Sequence, residues 1–187
     1  LPIIHNITQV GMRTLSITIK RGGDKSLITK DRMRAELVTE FFTKVPPDER
    51  AVATAAQTLG NRTLDPEHLR EVVAGRFADA LGEVAAKMTL DEIQENRGQF
   101  VKEVTKIANE SIGHTGLALE TVSIISLDQA PIEMFNPANT FDSQGLTQLT
   151  EQIESRKKKR NDITQDTKIS IENKNLETVQ KELEIKK

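Results

Sequence analysis

The last 37 residues, Glu151–Lys187, contain neither glycine nor proline, although the chain holds ten glycines and six prolines. Of these 37 residues, 18 are charged, ten basic and eight acidic. Such a stretch has no helix breaker, and its acid-first pairs Glu154–Lys158, Glu177–Lys181 and Glu182–Lys186 support a helix at i,i+4 spacing. A long polar helix therefore follows a glycine- and proline-punctuated body, and the composition marks the boundary between them. The whole chain has 187 residues, 36% hydrophobic, with six Phe, no Tyr and no Trp. It is too polar and too poor in aromatics to be one compact globule throughout. A formal net charge of −2 argues against a whole-chain nucleic-acid binder. Zero cysteines exclude disulfides, thiolate metal sites and cysteine nucleophiles. No apolar run approaches the roughly 18 residues of a membrane-spanning helix. The start, Leu1-Pro2-Ile3-Ile4-His5, has neither an initiator Met nor a signal-peptide pattern, and reads as a cut inside a longer protein.

The polar helix has apolar rows of its own. Ile169, Leu176 and Leu183 recur every seven residues with Val179 beside them, the spacing of a coiled-coil seam. Ile171 and Ile185 fall on nearly the opposite side, so the helix is expected to meet a neighbour on each flank. Standing alone it would be marginal.

The body alternates between strand and helix signals. Leu15, Ile17 and Ile19 alternate with Thr14, Ser16 and Thr18, the period of a half-buried strand, and Gly22-Gly23-Asp24 suits a hairpin turn. Residues 33–45 alternate again, with Met33, Ala35, Leu37, Thr39, Phe41, Thr43 and Val45 on one face, until Pro46-Pro47 ends the strand. Asp48 caps a short alanine-rich helix that Gly60 stops. Asp65-Pro66-Glu67 opens a second helix, with Leu69, Val72, Val73, Phe77, Leu81 and Val84 on one stripe. Thr89-Leu90-Asp91-Glu92 is a capping box, and its helix is expected to run unbroken to Gly113. A returning strand, Leu117–Leu127, shows one break in alternation. Strands followed by helices and a last strand define an α+β fold.

Chemistry is sparse. His5, His68 and His114 lack a second ligand at metal-binding spacing, and no nucleophile elbow or phosphate-binding glycine loop is present. No catalytic, cofactor-binding or metal-ligating residue is assigned, and an enzyme is the least supported class. Arg97 stands out because it lies four after Ile93 and four before Val101, on the apolar stripe. It is expected to be a buried structural arginine, paired with a carboxylate or a backbone carbonyl. Arg156-Lys157-Lys158-Lys159-Arg160 is the sharpest charge run. Five cations can contact phosphates or anionic lipid headgroups. The plainer reading, a solvated stretch partly neutralised by Glu151, Glu154 and Asp162, is favoured. No aromatics are interleaved, so nucleic acid is not an expected partner.

Several strings together resemble the SPFH (stomatin, prohibitin, flotillin; band-7) family. They are Leu27-Ile28-Thr29-Lys30-Asp31 before a long strand, a helix ending near Ala85-Ala86-Lys87-Met88, and Thr89-Leu90-Asp91-Glu92-Ile93 followed by Arg97 and Phe100. Phe135-Asn136-Pro137-Ala138-Asn139-Thr140-Phe141-Asp142-Ser143-Gln144-Gly145-Leu146 is similar to the flotillin branch. The resemblance implies an SPFH domain followed by a coiled-coil helix. Residues 1–45 would be the last strands of a first subdomain, 46–128 a second subdomain, 129–145 a connector and 146–187 the start of the helix. It also implies a homo-oligomeric scaffold at the bacterial inner membrane, anchored through an N-terminal segment absent from this chain, with this portion on the cytoplasmic side. The alternative it implies is a prohibitin-like enclosure around a membrane protease or other membrane proteins. Stoichiometric recovery of a protease in a crosslinked pull-down would favour that alternative.

Overall fold

The computed structural model describes residues 7–185, so His5 and Lys186 lie outside the described residues. Two compact units result, Leu1–Gly145 and Leu146–Lys187. In the first unit the strands are β1 (Leu15–Arg21), β2 (Leu27–Ile28), β3 (Arg34–Lys44) and β4 (Ala118–Gln129). The helices are α1 (Glu49–Thr58), α2 (Pro66–Ala85), α3 (Leu90–Glu95), α4 (Arg97–Ile112) and the start of α5 (Thr140–Ile185).

β3 is the central strand and every pairing is antiparallel. Leu37 lies between Arg21 of β1 and Leu127 of β4, and Ala35 between Leu27 of β2 and Gln129 of β4. β1 and β3, the two strands read from the sequence on either side of Gly22-Gly23-Asp24, pair antiparallel, and the short β2 between them also pairs with β3. Alternate burial along β3 follows its sequence: Ala35, Leu37, Thr39, Phe41 and Thr43 are buried while Arg34, Glu36, Val38, Glu40, Phe42 and Lys44 are half-buried. α2 and α4 cover the inner face, and the Phe41 ring stacks on Phe77 with centroids 4.4 Å apart. Leu69, Val73, Phe77, Leu81 and Val84 of α2 are buried in this core together with Phe100, Val104, Ala108 and Ile112 of α4.

Caps set the helix starts. The Asp48 side chain accepts from the Ala51 amide at 3.1 Å, and that of Asp65 from the Glu67 amide at 3.0 Å. Asp65 also meets the His68 imidazole at 2.6 Å, which holds the histidine above its usual pKa and the carboxyl below its own. Thr89 and Glu92 form both halves of the capping box, at 3.1 and 2.8 Å.

Two expectations need correction. The helix opened by the capping box stops at Asn96, whose backbone (φ −117°, ψ 49°) leaves the helical region, and α4 starts afresh at Arg97. Asparagine competes for backbone hydrogen bonds and Gly98 follows in the next turn, so the sequence is locally weak where it breaks. β4 has two irregularities rather than one: Glu120 and Ile125 are each skipped in its register with β3. The second leaves Ile125 58% exposed.

Candidate functional site

A bidentate ion pair fixes the start of α5. Arg34 on β3 donates through Nε and Nη2 to the two carboxylate oxygens of Asp142, at 2.9 and 2.8 Å. The same carboxylate accepts from the Asn136 amide, and Arg34 Nη1 donates to the Ser26 hydroxyl. The Arg34 hydrogen bond holds the Asp142 carboxyl below its usual pKa, and the pair raises that of Arg34. Arg32 lies over the Phe141 ring, 4.8 Å from its centroid. Gly145 is packed so closely on the Arg32 carbonyl that a Cβ there has no room.

In the second unit α5 is one continuous helix, and every described residue from Thr150 onward is exposed. Ile169, Leu176, Val179 and Leu183 are 52–61% exposed, Ile171 53% and Ile185 83%. At about 100° per residue, Ile169, Leu176 and Leu183 line one side, while Ile171 and Ile185 lie on the opposite side. Ile153, Arg156, Lys157, Arg160 and Ile163 share that opposite side. Among the described residues, Lys157 is the only member of Arg156–Arg160 with a carboxylate within 4.0 Å, that of Glu154.

α2, α3 and α4 enclose a groove of about 560 Å³ lined by Val84, Lys87, Met88, Glu92, Asn96, Gln99, Glu103 and Ile107. Val84, Met88 and Ile107 are its apolar members. Its rim carries two carboxylates without a cation within 4.0 Å among the described residues, because Lys87 is committed to Glu83 at 2.7 Å. Glu92 is engaged by the Thr89 amide and Glu103 by Gln99.

Arg97 is not a buried arginine. It is exposed at the first turn of α4 and donates to Gln94 at 3.0 Å. The break at Asn96 uncouples it from Ile93, so the four-residue spacing no longer places both on one face. Among the described residues, His68 and His114 included, no group of three or more His, Cys, Asp or Glu side chains could hold a metal ion. No helix of the described residues is long and apolar enough to cross a membrane. Sequence reading missed the Arg34–Asp142 pair and the groove carboxylates; Asp142 within the quoted flotillin-like string was the one available signal.

An antiparallel sheet packed on helices, with a connector leading into a long charged helix, is the arrangement that the SPFH resemblance implies. The SPFH domain / Band 7 family model matches residues 1–161, and the chain belongs to this family. It is 45% identical over 185 residues to the flotillin family inner membrane protein YqiK of Escherichia coli strain K12, an alignment covering 99% of this chain and 34% of that protein. It is 28% identical over 188 residues to the flotillin family inner membrane protein sll1021 of Synechocystis, covering 100% of this chain and 28% of that protein. The chain thus spans about a third of the length of these relatives. The SPFH resemblance drawn from the sequence is borne out.

Proposed function

We propose that this chain is part of a membrane-associated scaffold of the flotillin type, which assembles side by side with copies of itself into a ring or cage and organises the membrane around it. The observation that carries the reading is α5: a helix whose described residues are exposed from Thr150 onward, with apolar rows on two sides, in a chain of a family whose relatives here are named inner membrane proteins. Such rows are stabilised when a neighbouring helix covers them. Ile169, Leu176, Val179 and Leu183 would form the seam with one neighbour, and Ile171 and Ile185 would meet the other. In this reading the SPFH body would lie on the cytoplasmic side of the inner membrane.

Electron microscopy of the full-length protein in membranes tests this. Rings or cages are the expected result, and isolated monomers or dimers overturn the reading. In the same protein, Leu176→Asp with Leu183→Asp places two carboxylates in the seam and should reduce assembly size. Unaltered assemblies would remove the seam from the contact.

A further inference from the structure

We propose that the groove between α2, α3 and α4 receives the Ile153–Ile163 segment of α5 from a second copy of this chain. The inference rests on the oligomeric reading above and names a contact within it. The segment offers isoleucines at both ends of one helix face and cations between them: Ile153, then Arg156, Lys157 and Arg160, then Ile163. This face spans about three turns and lies opposite the Ile169–Leu176–Leu183 row, so it stays free when that row is covered. Ile153 and Ile163 are 47% and 67% exposed.

The groove offers the complement. Val84, Met88 and Ile107 provide apolar surface for isoleucine, and Glu92 and Glu103 provide carboxylates that no described cation neutralises. Its volume, about 560 Å³, suits a few side chains rather than a whole helix, so the helix would lie across the opening with its side chains inserted. A carboxylate partner accounts for the cation run better than solvent alone. Like charges three and four residues apart on a helix repel one another, and an opposing pair of acids relieves that repulsion. A guanidinium can also engage a carboxylate in two hydrogen bonds, which sets register as well as attraction.

The test uses the full-length protein, co-expressed as two differently tagged versions, one carrying Glu103→Cys and the other Arg160→Cys. After oxidation in membranes, the expected product is a disulfide-linked species carrying both tags, absent when either variant is paired with the unsubstituted chain. In parallel, Glu103→Lys and Arg160→Glu should each lower the yield of assembled particles severalfold. The two reversals combined in one chain should restore it. Assembled particles without an inter-tag crosslink, and indifferent to both reversals, overturn this contact while leaving the scaffold reading intact. Absence of any assembly overturns both. Binding to phosphatidylcholine–phosphatidylglycerol vesicles that depends on the five cations, with no crosslink formed, assigns the run to lipid and also overturns the contact.

Discussion

Gly116 shows how one residue without a side chain can hold two elements together. Its φ of +80° is in the left-handed region, and a Cβ there would come within 2.5 Å of the Ala51 carbonyl oxygen and the Ala55 amide of α1. Gly116→Ala therefore combines backbone strain with a clash against main chain, which moves less readily than a side chain. It should cost more than about 1 kcal/mol, seen as a lowered melting temperature of the body. Asp142 is the charged counterpart. Asp142→Asn removes the charge and one of the two acceptor oxygens of a charge-assisted pair whose side chains are 13% and 4% exposed, at a cost of about 2 kcal/mol. The pH dependence has a definite sign. The folded carboxyl sits below its ordinary 3.8, so the pair contributes fully above that pH and the contribution is lost as pH falls through the lower, folded value. Denaturant titrations of both proteins should show a constant stability difference near neutrality that shrinks in acid. A difference that grows on acidification would contradict the pairing.

At the scale of elements, legibility in the sequence depended on whether the signal was local. β3 was readable residue by residue, because alternation with period two is what burial on one face requires and the strand is buried on one face. The starts of α2 and α3 were readable because each cap acts within three residues. The end of α3 was not, since Ile93 and Phe100 are seven apart and fit one continuous helix as well as two. The Arg97 expectation failed with it. The Arg34–Asp142 pair joins residues 108 apart in sequence, and no local pattern announces such a meeting. The groove carboxylates were hidden for a different reason: on a polar helix face every acid looks solvated until the facing elements are known. α5 carries its own prediction. Its residues 146–187 as an isolated peptide should be largely unfolded at low concentration and gain helix as concentration rises, since its rows gain cover only from another helix. Circular dichroism over a dilution series measures this, and helicity independent of concentration would mean the helix stands without a neighbour.

For the whole molecule, the two units draw stability from different sources. The first has an internal core of buried residues from β1 through β4, which closes without a partner. The second is exposed at every described residue from Thr150 onward and leaves the apolar rows of that stretch open. The low hydrophobic fraction of the chain is an average over these two conditions. Because the seam and the isoleucine–cation face of α5 lie on opposite sides and differ in chemistry, a contact that uses one face to meet a different surface on the next copy has no two-fold axis. Contacts of that kind are heterologous: each copy presents a donor face and a receiver face, and a row of copies always has one of each unmatched at its ends. Closure then depends on the rotation between successive copies. A substitution that alters the angle at this helix would change how many copies complete the circle, or leave the row open as a filament, without necessarily weakening any single contact.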